Sequence, residues 1–231
     1  MFAKNTDKEY RKEDKYLVSL AEMAIIQSKL KGLCCLDTNS KNGCYEVRSL
    51  YLDNYENKCY FENENGVEPR RKYRFRIYNN ENKVVSLEIK QKEHEKILKR
   101  RTLIDFKQAK EMIDGKCINK ITDNSIINEF GQIIKTQLYL PVVIVNYFRL
   151  AYTHKLSNLR ITFDTNISSS NNINMFFSKN INKRPIMPIG LNIMEVKYND
   201  FLPDFILNTL NIGNLKKITF SKYYLCRKYS L

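Results

Sequence analysis

Residues 70–78 read RRKYRFRIY, with Arg70, Lys72, Arg74, Arg76 and Tyr78 at the even positions and Arg71, Tyr73, Phe75 and Ile77 at the odd ones. Side chains alternate faces along a strand, so this stretch makes a strand with one apolar face and one face of four cations. Four like charges in a row repel one another, and the opposing charge has to come from elsewhere in the chain or from a ligand. Any fold for this chain must bury the first face and supply an anion to the second.

The two-faced pattern recurs. KVVSLEIKQK (83–92) sets Glu88, Lys90 and Lys92 opposite Val85, Leu87 and Ile89, and the short polar turn at 79–82 joins it to 70–78 as an antiparallel hairpin. YRKEDKYLV (10–18) puts Arg11, Glu13 and Lys15 on one side. CYEVRSLYLDN (44–54), LPVVIVNYFRLAY (140–152), LRITFDT (159–165), LNIMEVKYN (191–199) and TFSKYYLCRKY (219–229) read as further strands. Their polar faces present Tyr147 and Arg149, Arg160 and Asp164, Glu195 and Lys197, and Ser221 and Lys222. Helices are predicted at 20–32, within about 105–137 and at 201–210, while 93–103 fits strand or loop and the Asn- and Ser-rich 166–190 reads as a long loop or ragged hairpin. No repeat or linker divides the chain, so 1–231 reads as a single domain.

Any one of these strands alone is an ordinary solvated face, but the pattern runs through most of them. Closing the sheet brings the charges into one lumen and leaves the apolar faces for helices outside. The predicted class is therefore α+β: a closed antiparallel β-barrel tunnel of about eight strands. Buried unpaired charge is expensive, so the lumen must be wet and must accept a polyanion. Arginine forks match phosphate oxygens, and the few carboxylates are hard donors suited to Mg²⁺ or Mn²⁺. Spacing alone also admits an open basic sheet that binds single-stranded nucleic acid.

The net charge of +14 points to an anionic partner. The six cysteines, at 34, 35, 44, 59, 117 and 226, form no CxxC pair and suggest buried reduced thiols. The N-terminal stretch lacks the apolar core of a signal peptide, and YLPVVIVNYF (139–148) is too short to span a bilayer, so a cytoplasmic protein is expected. Neither of the two histidines, His94 and His154, is placed for catalysis, and surface positions are expected for both.

Taken in order, RKEDKYLV, YEVRSLYLDN, GVEPRRKYRFRIY, SLEIKQK, PVVIVNYFRLAY, LRITFDT, IMEVKY and SKYYLCRKY run from residue 10 to 229. Together they resemble the VTC domain, the polyphosphate polymerase branch of the triphosphate tunnel metalloenzymes, relatives of the CYTH phosphatases and cyclases. That resemblance implies a barrel tunnel in which Lys15, Arg74, Arg76, Lys90, Tyr147, Arg149, Ser221 and Lys222 contact phosphates. It implies Glu195 as principal metal ligand, with Glu88 and Glu13 nearby, for Mn²⁺ or Mg²⁺. Arg48, Lys72, Lys92, Arg160 and Lys197 fall within the same motifs and are assigned to the substrate as well, although Arg48 is out of phase with Ser49, Tyr51 and Asp53.

One departure stands out. Hydrolytic relatives open on Glu-x-Glu-x-Lys, whereas this chain has Arg11 at the first acidic position. Losing that carboxylate weakens the case for a metal-oriented water and is compatible with transfer to another phosphate. The implied activity is polyphosphate synthesis from the γ-phosphate of ATP, with Lys222, Arg74, Arg76 and Arg149 as the catalytic cations. The implied partners are ATP or another nucleoside triphosphate, polyphosphate or pyrophosphate, and no nucleic acid; any membrane partner would be a separate chain. A triphosphatase, or a module that only binds polyphosphate or inositol phosphates, is the alternative.

Overall fold

The computed structural model describes residues 10–40, 43–94, 96–116, 121–211 and 215–231. Strand β1 (Lys12–Ser19) leads into α1 (Leu20–Leu30), and Ser19 and Glu22 form a reciprocal capping box at the junction. A short β2 (Cys35–Leu36) precedes β3 (Tyr45–Asp53), α2 (Lys58–Glu64), β4 (Arg70–Tyr78), β5 (Glu81–Glu93) and β6 (Lys96–Asp105). Asn79 and Asn80, at φ 49° and 58°, turn the β4–β5 hairpin, a backbone that asparagine tolerates better than other side-chain-bearing residues.

The helical segment expected at 105–137 contains two helices, α3 (Phe106–Ile113) and α4 (Ser125–Thr136). Asp105 caps the first, accepting from the Gln108 N–H, and Asn124 caps the second, accepting from Ile126 and Ile127. The chain continues through β7 (Leu140–His154), β8 (Leu159–Ser170), β9 (Arg184–Pro185) and β10 (Leu191–Tyr198). It ends with α5 (Asp204–Leu210) and α6 (Lys222–Lys228).

The main sheet runs β1-β10-β8-β7-β3-β4-β5-β6, antiparallel throughout. Its backs carry two apolar clusters. Phe75, Ile77, Leu87 and Ile89 pack under α3 and α4, with Phe130 edge-on to both Tyr73 and Phe75. Ile161, Phe163, Met194 and Val196 pack under α1 and α5. The helices therefore lie outside the apolar faces, as the alternation requires.

Two expectations need correction. The barrel is not closed: the sheet curls into an open half-barrel, and among the described residues its β1 and β6 edges are bridged at one point, Arg11 just before β1 with Ile97, through backbone hydrogen bonds of 3.1 and 3.0 Å. Beyond that point the β1 edge is taken by the segment before α6, where the Ile218 N–H donates to the Lys15 carbonyl at 2.8 Å, so β6 has no edge to pair with. The final segment is a helix, not a strand. Lys222, Tyr223 and Cys226 are its buried residues, a spacing that a strand cannot put on one face, and Ser221 caps it by accepting from the Tyr224 N–H. Of the two forms expected for 166–190 the hairpin is the one found: β8 continues to Ser170 past a bulge at Asn166 (φ 51°) and pairs with β9 through Ser168 and Ser169.

Residues 93–103 are mostly strand. Of the described cysteines, Cys59 and Cys226 are buried while Cys35 and Cys44 are exposed, and Cys117 lies outside the described residues. Among the described residues no helix is long and apolar enough to cross a membrane.

Phe130 is fully buried where α4 meets β4. Phe130→Ala should lower unfolding free energy by about 3–5 kcal/mol, measured by urea denaturation with an unchanged m-value.

Candidate functional site

The concave face of the sheet encloses a cavity of about 1300 Å³. Among the described residues, seventeen lysines and arginines line it against three carboxylates, an imbalance that favours an anionic ligand. Lys15, Lys72, Arg74, Arg76, Lys90, Lys92 and Tyr147 all reach it. So do Arg149, Arg160, Lys197, Ser221, Lys222, Glu13 and Glu195. Strand alternation brings in the residues of β1, β4, β5, β7, β8 and β10, and the start of α6 supplies Ser221 and Lys222.

Two carboxylate centres organise the cations. At the first, Lys222 Nζ lies 2.6 Å from Asp164 Oδ2 and 2.7 Å from Glu195 Oε1. Arg149 grips Asp164 through Nε at 2.6 Å and Nη2 at 2.7 Å, and reaches Glu195 at 3.4 Å. Lys197 donates to Glu195 at 2.9 Å and sits 3.6 Å from Glu13, which also holds Lys15 at 3.1 Å and Lys90 at 3.0 Å. The Lys90–Glu13 pair thus ties β5 to β1 where no backbone ladder joins them.

At the second centre Glu88, fully buried behind the cavity wall, takes Arg74 at 2.5 Å, Arg76 at 3.4 Å and Lys99 at 2.7 Å. Tyrosine hydroxyls steady the same guanidinium groups: Arg74 donates to Tyr51 at 2.6 Å and Arg76 to Tyr147 at 3.3 Å. Lys72 donates to Asn63 and, at 2.9 Å, to Ser221 Oγ. Ser221 Oγ also accepts from the Tyr224 N–H, which leaves its own proton to donate.

Burial opposes ionisation of Glu195, yet Lys197, Lys222 and Arg149 hold its carboxyl well below the usual range. Glu13 and Glu88 are likewise held low against burial, by Lys90, Lys197 and Lys15 and by Arg76, Lys99 and Arg74 respectively. Lys222 is raised, because Asp164 and Glu195 outweigh the burial that disfavours its charge. The cations poorer in carboxylate go the other way. Burial and neighbouring cations push Lys72 well down, while Lys90 falls to about 8 and Lys99 to about 7, burial being the leading cause in each despite Glu13 and Glu88.

Two expected site residues are placed differently from the rest. Glu88 has no cation in common with Glu195, and its oxygens are occupied by three of its own. Arg48 does not reach the cavity. It lies on the outer face of β3, 1 % exposed, and its guanidinium donates to the carbonyls of Phe176 at 3.0 Å and Ser178 at 2.5 Å. Its assignment to the substrate is corrected to a structural one.

Sequence reading missed Asp164 as the partner of Arg149 and Lys222, and missed Lys99 and Tyr51 altogether. Asp164 and Tyr51 share strand phase with predicted residues and could have been found that way. Lys99 sits where strand and loop read alike. His94 lines the cavity rim.

The acidic donors suit a hard divalent ion. Glu195 and Glu13 are anionic, and Thr162, paired with Glu195 across β8 and β10, has a buried hydroxyl with no hydrogen-bond partner. Mg²⁺ or Mn²⁺ needs only one or two such carboxylates, because water and phosphate oxygens complete its shell.

The fold is therefore a curled antiparallel sheet around a cationic cavity with buried carboxylates. Two solved structures share it: HpAC1 from Hippeastrum, described as having a dominant triphosphatase activity, and the bh2851 protein of Bacillus halodurans, assigned as an adenylate cyclase. The first is 12% identical, with TM-score 0.57 over 96% of this chain and 97% of that one. The second is 13% identical, with TM-score 0.54 over 92% and 94%. At such identities the likeness is one of fold. No curated protein matches by sequence. The chain belongs to the VTC domain family, whose model matches residues 10–231.

Two outcomes test this geometry. Arg48→Met should lower stability by about 2–3 kcal/mol, because it orphans buried carbonyls, while tripolyphosphate affinity by calorimetry stays at the wild-type value. The second concerns pH. Lys90 and Lys99 titrate near 8 and 7 in the folded state against 10.5 for an ordinary lysine. Between about pH 7 and 10 the unfolded chain therefore holds more protons, and stability from these two groups rises with pH. Urea denaturation in anion-free buffer should give a higher midpoint at pH 9 than at pH 7, with a smaller difference in Lys99→Met.

Proposed function

We propose that this chain binds a nucleoside triphosphate in the cavity and transfers its γ-phosphoryl group to a phosphate chain, building polyphosphate. The observation that carries the proposal is the lining itself: a continuous wall of cations gathered around Glu195 and Asp164. Such a wall suits a reaction whose nucleophile is already ionised.

In this reading Arg74, Arg76, Lys90 and Arg149 hold the phosphates in line, and Lys222 neutralises the charge that builds on the oxygens in transfer. A terminal phosphate oxygen of the acceptor attacks the γ-phosphorus as the bond to the β–γ bridging oxygen breaks, and nucleoside diphosphate leaves with that oxygen. Ser221 donates a hydrogen bond to a phosphate oxygen. Glu195, with Glu13, would hold Mg²⁺ or Mn²⁺, which when bound neutralises phosphate charge. Glu88 acts one step back, fixing Arg74, Arg76 and Lys99 in the wall.

Hydrolysis of a triphosphate is the second reading, supported by the activity described for the Hippeastrum protein of the same fold. Arg11 lines the cavity where hydrolytic relatives carry an acid, and that favours a phosphate acceptor over an oriented water.

Incubation with ATP and Mn²⁺ separates the readings: polymer on a stained gel supports synthesis, and orthophosphate alone supports hydrolysis. Lys222→Met and Glu195→Gln should each reduce turnover about 10²–10³-fold while leaving a cooperative melt. Full activity in either variant refutes the site.

A further inference from the structure

The lumen tyrosines are not equivalent. Tyr51 and Tyr147 are buried, and their hydroxyls are engaged by Arg74 and Arg76. Tyr78 lines the same cavity at the end of β4, next to the β4–β5 turn, yet as a residue it is 36% exposed. Beneath it lies Tyr45, ring centroids 6.0 Å apart, and Tyr45 is itself fixed by a hydrogen bond from Arg160 at 3.2 Å. Arg160 is in turn held by Asp37. Asn79 lines the rim beside Tyr78, and its side-chain oxygen accepts from the Glu46 N–H at 2.9 Å, which leaves its amide donors to the cavity.

A bare phosphate chain has no use for a supported, half-exposed aromatic face with an amide beside it; a heterocycle does. Register places this face one step outside the phosphate-binding wall. Tyr78 is two residues from Arg76 on the same face of β4, about 7 Å along the strand. Tyr45 pairs with Arg149 across β3 and β7. A nucleotide whose base lay on Tyr78 would run its triphosphate inward past Arg76 and Arg149 toward Lys222.

We propose that Tyr78, backed by Tyr45 and flanked by Asn79, is a nucleobase-stacking subsite at the cavity rim, so that the cavity takes its nucleoside triphosphate base-outward at this end. The inference rests on the nucleoside-triphosphate reading above and adds which residues recognise the nucleoside. Stacking dominates here, so the subsite discriminates a nucleotide from inorganic phosphate chains more than one base from another.

Calorimetric titration of wild type, Tyr78→Ala and Tyr78→Phe with ATP and with tripolyphosphate, at fixed Mg²⁺ and ionic strength, tests it. Tyr78→Ala should weaken ATP roughly tenfold, the loss expected for one base–aromatic stack. Tyr78→Phe should stay near the wild-type value, and tripolyphosphate should bind all three alike, which also reports that each is folded. ATP binding unchanged in Tyr78→Ala, or ATP and tripolyphosphate weakened equally, overturns the rim subsite and leaves the tunnel reading standing. A wild type that binds neither ligand overturns both.

Discussion

The rest of the structure depends on the confinement of like charge. Strand alternation forces the cations of β4, β5, β1 and β10 onto one concave surface, where their mutual repulsion has to be met without filling the cavity. Two small acidic centres meet it. Asp164 and Glu195 hold Arg149, Lys197 and Lys222, and Glu88 holds Arg74, Arg76 and Lys99. Each carboxylate serves several cations, so the wall is preorganised yet remains strongly positive. Burial above all, with neighbouring cations adding to it, pushes Lys90 and Lys99 down, and a bound polyanion would favour their charged forms.

Construction of the wall depends on the outer layer. Helices α3 and α4 cover the backs of β4 and β5, and α1 and α5 cover those of β8 and β10. Because the apolar residues are committed to these helices, the intervening residues have no choice but to face inward. Helix α6 completes the site from the other side. Tyr223 docks against Tyr51 and donates to buried Asp53, which also accepts from the N–H groups at the start of α2. That anchor sets Lys222 opposite Asp164 and Glu195. The same C-terminal segment occupies the edge of β1 and leaves the half-barrel open, so one piece of chain both supplies a cation and prevents closure.

Much of this was legible in advance where local periodicity carries the information. The inward set on β4 and β5 follows from alternation alone, whereas the phase of Arg48 against Ser49 and Tyr51 left its direction open, and its assignment to the substrate did not hold. The family resemblance added Lys222 and Glu195, which spacing by itself would not have ranked. The reading failed at TFSKYYLCRKY, where aromatic richness mimics a strand while Lys222, Tyr223 and Cys226 follow a helical spacing. It also failed to rank Lys99, in a charged run whose alternation is blurred on both faces.

By itself, the sequence determined which residues share a face, that the faces are oppositely disposed to water, and that a large cationic surface would need an anion. Only the tertiary structure decided which carboxylate holds which cation, that Arg48 serves the backbone of the 176–178 segment, and that the sheet stops short of closing. The physical reason is the range of each effect. Side-chain direction repeats every two residues along a strand and is written locally, whereas ion pairs such as Lys222 with Asp164 join residues far apart in the chain and exist only once packing brings them together.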